Sequence, residues 1–283
     1  MITVSSLTDL RKARKKLCEP VGFVPTMGYL HEGHISLVRR AKSECRSVVV
    51  SIYVNPSQFG PHEDFEKYPR NLEGDIALLE KAGVDLLWTP TNACMYPPGY
   101  QTWIDVEKLS QPLEGALRPG HFRGVATIVA KLFNCVQPQK AYFGQKDAQQ
   151  AAIICQMTED LNFPIDIVVC PTVREKDGLA MSSRNCYLTQ EQRSAAKVMV
   201  QALDLARQLF EQGERQTAPL VEIVQHTVEQ QTGVILQYAA CVDPKTFLPM
   251  DTITDQALLL IAIQTGDTRL IDNIELTVAP VAG

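Results

Sequence analysis

Residues 48–54 (VVVSIYV) are apolar without alternation and rich in β-branched side chains. A run of this kind suits a strand covered on both faces, as in a parallel sheet, and not an edge open to water. A second short run, VGFV at 21–24, stops at Pro25-Thr26. Between the two, Ile35, Val38, Ala41 and Cys45 recur at helical spacing and predict a helix from about Gly33 to Cys45. Strand, helix and strand in this order form one βαβ unit, with a right-handed crossover expected.

The rhythm continues along the chain. Helices are expected at Leu72–Ala82, Phe122–Val136 and Asp147–Leu161, with Gly83 capping the first, and strands at Val84–Trp88, Trp103–Val106, Ala141–Phe143 and Ile165–Cys170. This alternation predicts an α/β fold with a doubly wound parallel sheet. After about residue 175 the pattern changes to two helices, near 189–212 and 217–232, followed by strand-like runs at 234–242, 257–264 and 269–276. The expectation is a first domain over residues 1–175 and a smaller α+β domain over 176–283, joined near the polar stretch 174–178.

Composition narrows the functional classes. The 283 residues carry 27 Lys+Arg against 32 Asp+Glu, a formal net charge of −5, which argues against a nucleic-acid partner. No apolar run reaches the length of a membrane span. The basic cluster Arg11, Lys12, Arg14, Lys15 and Lys16 reads as the solvated face of a helix whose apolar side is Leu7, Leu10, Ala13 and Leu17. The first twenty residues contain no apolar signal region, and the eight cysteines form no C-x-x-C pair. A cytoplasmic protein with buried, reduced thiols is expected.

Four polar clusters, at 25–34, 55–60, 144–150 and 172–175, each follow an expected parallel strand. Ligands of open α/β sheets bind beyond the carboxyl ends of the strands, so these clusters are expected to converge on one crevice. In the first, PTMGYLHEGH, Gly28 and Gly33 permit close backbone approach, and His31 and His34 share one side of a helical first turn. Such a terminus suits a polyphosphate; a capping and packing role, or a metal, are the other readings. At the domain junction, Ser182, Ser183 and Arg184 offer two hydroxyls and a guanidinium, either to phosphate oxygens or simply as a polar linker.

Taken together, the His-x-x-His and Ser-Ser-Arg elements resemble the signature pair of the nucleotidyltransferase superfamily. The strings PTMGYLHEGH, YVNPSQFG, YPR, RPGHFRGV, FGQKDAQQ, TVRE and LAMSSRN, in that order between Pro25 and Asn185, resemble the pantoate–β-alanine ligase family. That resemblance implies a Rossmann-like first domain and a C-terminal lid. It also implies a cytoplasmic homodimer, ATP with Mg²⁺, and the small-molecule substrates pantoate and β-alanine. Catalytic roles would fall to His34, His31 and Lys146. ATP would be held by Met27, Gly28, Tyr29, Leu30, His31, Glu32, Gly33 and His34, by Gly144, Gln145, Lys146 and Asp147, by the Val173 backbone, and by Met181, Ser182, Ser183 and Arg184. Gln58 and Gln150 would hold pantoate, with Gln58 also touching β-alanine, and Asp75 would sit on the magnesium side. A transferase acting on a phosphorylated substrate would need further Arg or Lys for the second phosphate. A non-catalytic nucleotide-binding module would not need the full set of phosphate-directed groups.

Overall fold

The computed structural model describes residues 1–61 and 63–279. They divide into two compact units, Met1–Gln145 with Gln149–Val173, and Lys146–Ala148 with Arg174 onward.

The first unit contains β1 (Ile2–Val4), α1 (Leu7–Arg14), β2 (Val21–Thr26), α2 (Glu32–Glu44), β3 (Ser47–Ile52), α3 (Leu72–Lys81) and β4 (Leu86–Trp88). The short helices α4 (Asn92–Met95) and α5 (Glu114–Leu117) lead to α6 (His121–Val136), β5 (Lys140–Gly144), α7 (Ala148–Asp160) and β6 (Asp166–Cys170). The strands form one parallel sheet in the order β1-β4-β3-β2-β5-β6. β2 and β3 pair from Val21↔Ser47 to Thr26↔Ile52. Val24, Val48, Val50 and Leu87 pack on Leu37, Val38 and Ala41 of α2, while Val49, on the opposite face, is also fully buried, so both faces are covered and the 48–54 run shows no alternation. The chain leaves β2 towards β3 on one side and reaches β5 on the other, so the direction of winding reverses at β2. Crevices at such reversals are where doubly wound sheets bind ligands.

The second unit continues with α8 (Gln190–Ala196), α9 (Val198–Glu211), α10 (Thr217–Glu229), β7 (Ile235–Val242), β8 (Gln256–Thr265) and β9 (Thr268–Thr277). Its strands form an antiparallel sheet in sequence order. Met199, Leu203 and Phe210 of α9 and Leu220 and Val224 of α10 share a core with Leu259, Ile261 and Ile263 of β8.

Several local expectations need correction. The segment 103–106 is not a strand. Its Ile104 N–H donates to Thr127 Oγ1 at 3.0 Å, and Trp103 stacks on Tyr96 with ring centroids 6.0 Å apart. The helix expected over 189–212 is two helices, because Val200 N–H reaches the Lys197 carbonyl at 3.1 Å, a three-residue bond that tightens the chain there. β1 was not expected at all; it pairs Ile2 with Leu86, far along the chain. The cysteines are free, but only Cys45, Cys170 and Cys241 are buried; Cys94, Cys135 and Cys155 are half-buried, and Cys18 and Cys186 are exposed.

Candidate active site

The turn after β2 is built to present two imidazoles. Gly28 and Tyr29 both take positive φ, 84° and 51°, which turns the chain sharply before α2. Asp75 holds this turn: its Oδ2 accepts Tyr29 N–H at 2.8 Å and its Oδ1 accepts Leu30 N–H at 2.7 Å. The residue is 3% exposed, and burial pushes its pKa up against the pull of the two N–H donors. Asp75, expected on the magnesium side, makes both of these bonds to the 29–30 backbone.

His31 caps α2. Its Nδ1 accepts Gly33 N–H at 3.2 Å, while His34 Nδ1 accepts His31 N–H at 3.3 Å, a reciprocal capping box. A neutral imidazole that accepts at Nδ1 carries its proton on Nε2. Both rings, with centroids 4.1 Å apart, are therefore set as Nε2–H donors beside a helix N-terminus. Capping and anion recognition are compatible here, because they use opposite nitrogens.

After β3, Asn55 caps a 3₁₀ turn over Pro56–Gln58, with Pro56 at its start. Asn55 Nδ2 donates to Gln58 Oε1 at 3.1 Å and to the Gly124 carbonyl at 3.2 Å. Gln58 Nε2 donates to Met27 Sδ at 3.1 Å. The ends of β2 and β3 are thus connected through Met27 and Gln58. The sequence signal for Asn55 is the Asn-Pro pair that follows a strand, a recognisable cap. Gln150 is half-buried on α7, whereas its neighbour Gln149 is buried. Gln149 serves the scaffold: its Nε2 donates to the Leu109 and Pro112 carbonyls, both at 2.8 Å.

Behind Gln58 lies a charged relay. Arg118 donates to both Glu63 oxygens, at 2.7 and 2.8 Å. Its Nη1 stands 3.0 Å from His121 Nε2, and His121 Nδ1 stands 2.8 Å from the Gln58 carbonyl. Burial first, and the Arg118 charge second, hold the His121 pKa down to about 4, against opposing pulls from the Gln58 carbonyl, Glu63 and Glu114. The folded chain resists a proton that the unfolded chain accepts near pH 6.5. This stability should be intact above that pH and lost as pH falls from about 6.5 to about 4, by up to about 3 kcal/mol. Denaturant midpoints across this window, compared with His121→Asn, measure it; equal pH slopes would show that His121 is not the titrating group.

In the second unit, Lys146 is largely buried, with Nζ 3.6 Å from Asp147 Oδ1, and its carbonyl accepts Asn273 Nδ2 at 3.0 Å. Gln145 and Gly144 close the first unit's part of that loop, at the end of β5. Ser182 caps the 3₁₀ turn 183–187 by accepting Arg184 N–H at 3.3 Å; Ser183 is buried, and Met181 and Arg184 are half-buried. The TVRE string supports this loop. Arg174 makes two bonds to Asp272, at 2.6 and 3.1 Å. Glu175 accepts Asn185 Nδ2 at 2.6 Å and pairs with Arg193. Val173, half-buried, ends the first unit.

The family model described as pantoate-beta-alanine ligase matches residues 1–275. Pantothenate synthetase of Heliobacterium modesticaldum is 52% identical over 272 residues, 96% of this chain and 97% of that protein. The enzyme of Herpetosiphon aurantiacus is 50% identical over 97% of this chain and 99% of its own. The crystal structure of pantothenate synthetase from Thermus thermophilus superposes with a TM-score of 0.93 at 49% identity, covering 97% of this chain and 99% of that one. The pantoate-beta-alanine ligase of Francisella tularensis, complexed with β,γ ATP and β-alanine, has a TM-score of 0.79 at 35% identity, covering 97% of each chain. These matches favour the ligase over a transferase acting on a phosphorylated substrate, and the chain belongs to the pantoate–β-alanine ligase family, the pantothenate synthetases.

Proposed function

We propose that this enzyme joins pantoate to β-alanine through a bound pantoyl adenylate, with the residue roles that follow. The carrying observation is the capping box that turns both His31 and His34 into Nε2–H donors at the α2 N-terminus. In the first half-reaction a pantoate carboxylate oxygen attacks the α-phosphorus of ATP. The bond from that phosphorus to the bridging oxygen breaks, and pyrophosphate leaves. Charge grows on the α-phosphate and the bridging oxygen, where donors already in place stabilise it most. His34, with His31 beside it, meets that charge. Lys146 supplies a cation to the same phosphates, and Ser182, Ser183 and Arg184 hold the departing pyrophosphate. Backbone of Met27, Gly28, Tyr29, Leu30, Glu32 and Gly33, with Gly144, Gln145, Asp147, Val173 and Met181, completes the nucleotide contacts.

Gln58 and Gln150 hold pantoate. A neutral amide orients a carboxylate or hydroxyl and leaves the nucleophile reactive, whereas an arginine would over-stabilise the ground state. In the second half-reaction the free amine of β-alanine, near Gln58, attacks the acyl carbon. The acyl–oxygen bond breaks, AMP leaves, and the surplus amine proton passes to solvent. Mg²⁺ would neutralise part of the phosphate charge, and Asp147 and Asp75 are the carboxylates that would hold it. The described residues include no group of three or more His, Cys, Asp or Glu able to hold a metal. Magnesium bound with a nucleotide keeps several waters and phosphate oxygens and needs only one or two carboxylates from the protein. The second unit serves as the lid. A homodimer and a cytoplasmic location belong to the same reading, on the strength of the family.

The test is exchange of labelled pyrophosphate into ATP. It should require pantoate and proceed without β-alanine, because the adenylate forms reversibly while pyrophosphate is present. No serine or cysteine stands in a nucleophile motif with an adjacent base, so a covalent acyl-enzyme is not invoked. Exchange that needs β-alanine would overturn the order of steps. Release of ADP and phosphate would point to an acyl-phosphate route.

A further inference from the structure

The string RPGHFRGV, residues 118–125, carries part of the family resemblance but no role in the chemistry above. We infer that His121 is a positioning residue for pantoate: held in one tautomer by Arg118, it fixes the Gln58 backbone and so sets where the Gln58 amide lies. The inference rests on the reading of Gln58 as a pantoate-holding residue.

A guanidinium has donors only. Arg118 Nη1, 3.0 Å from His121 Nε2, must therefore donate, which leaves the ring proton on Nδ1. That proton is donated to the Gln58 carbonyl at 2.8 Å. Glu63 in turn fixes Arg118 through its two-pronged pairing, so the imidazole has one orientation and one tautomer. The low affinity of buried His121 for a proton keeps the ring neutral at neutral pH, as this geometry requires.

The same turn of α6 grips the segment a second time at Gly124. A Cβ at Gly124 would lie 2.3 Å from the Ser57 carbonyl oxygen and 2.8 Å from Gln58 Cα. Only glycine lets the helix approach the 3₁₀ turn this closely. The Gly124 carbonyl also accepts the Asn55 amide that donates to Gln58 Oε1. Backbone and side chain of Gln58 are therefore both held from the first turn of one helix. A glutamine fixed before substrate arrives loses less rotamer freedom on binding.

Steady-state kinetics separate this from a general scaffold role. His121→Leu should raise the pantoate KM about tenfold, the scale of one lost buried hydrogen bond, and leave the ATP KM within about twofold. His121→Asn places an amide N–H where Nδ1–H stood and should restore the pantoate KM to within about threefold of wild type. In a Gln58→Ala background, His121→Leu should add less than about twofold, because both changes act on one contact. An unchanged pantoate KM in His121→Leu, equal rises in both KM values, or full multiplication with Gln58→Ala would each overturn the inference. Gln58→Ala that leaves the pantoate KM unchanged would overturn the assignment of Gln58 itself, a failure visible without any His121 variant. If His121→Leu does not fold, the comparison of His121→Gln with His121→Asn replaces it, since the longer amide carries its N–H past the carbonyl. Equal KM values for those two variants would then overturn the inference.

Discussion

Replacing His34 by alanine should slow pantoyl-adenylate formation by about a hundredfold or more while leaving a folded protein. The two effects of this substitution can be separated because the observed cap and the proposed catalytic bond use different ring nitrogens. Nδ1 accepts the His31 N–H within the capping box, so alanine removes a cap, an effect of about 1 kcal/mol on stability. In the proposed chemistry Nε2–H is the donor directed at charge that develops in the transition state, and losing such a donor typically costs about 3 kcal/mol in the barrier. Thermal melts read the first and pyrophosphate exchange reads the second. A variant with the small stability loss and near-normal exchange would remove His34 from the mechanism and leave it as a helix cap. The Asp75 latch predicts that the turn itself survives, since Tyr29 and Leu30 remain bonded to that carboxylate.

Lys146→Ala should damage the first half-reaction by about a hundredfold and spare the second. Lys146 lies in the 3₁₀ turn Gln145–Asp147 between β5 and α7, with its carbonyl tied to Asn273 and its ammonium beside Asp147. Truncation beyond Cβ leaves the backbone tie intact, so the loop should keep its course. What disappears is a positive charge in a largely buried position, where a charge acts more strongly than in bulk water. Its partner in the proposed chemistry is the triphosphate, which departs as pyrophosphate before the amine attacks. Preformed pantoyl adenylate with β-alanine should therefore yield pantothenate at close to the wild-type rate. A bypass reaction as impaired as the full reaction would show that Lys146 serves the acyl transfer or the scaffold instead.

Much of this was readable in the chain itself, for physical reasons that operate between near neighbours. The covered parallel strand at 48–54, the apolar stripe of α2 and the change of rhythm after about residue 175 are periodicities, set by side chains two to four residues apart. The motif strings from Pro25 to Asn185 likewise carry the family and the candidate residues in local order. The reciprocal cap of His31 and His34 follows from their three-residue spacing, although sequence left capping, phosphate and metal as separate readings.

Tertiary structure decided what depends on contacts between distant segments. β1, Ile2–Val4, is too short for its alternation to stand out as a strand signal, and it is recognised by its pairing with β4. Gln149 and Gln150 are adjacent and chemically identical, and only the packing of α7 directs one to the Leu109 and Pro112 carbonyls. Asp75 reaches the 29–30 turn across 45 residues, and His121 reaches Gln58 across 63. The family resemblance places Asp75 on the magnesium side, and its two bonds to the turn are visible only in the fold. Hydrogen bonds of this kind leave no periodic trace in a single chain, because their partners meet only after the order of strands and helices around the sheet has been set.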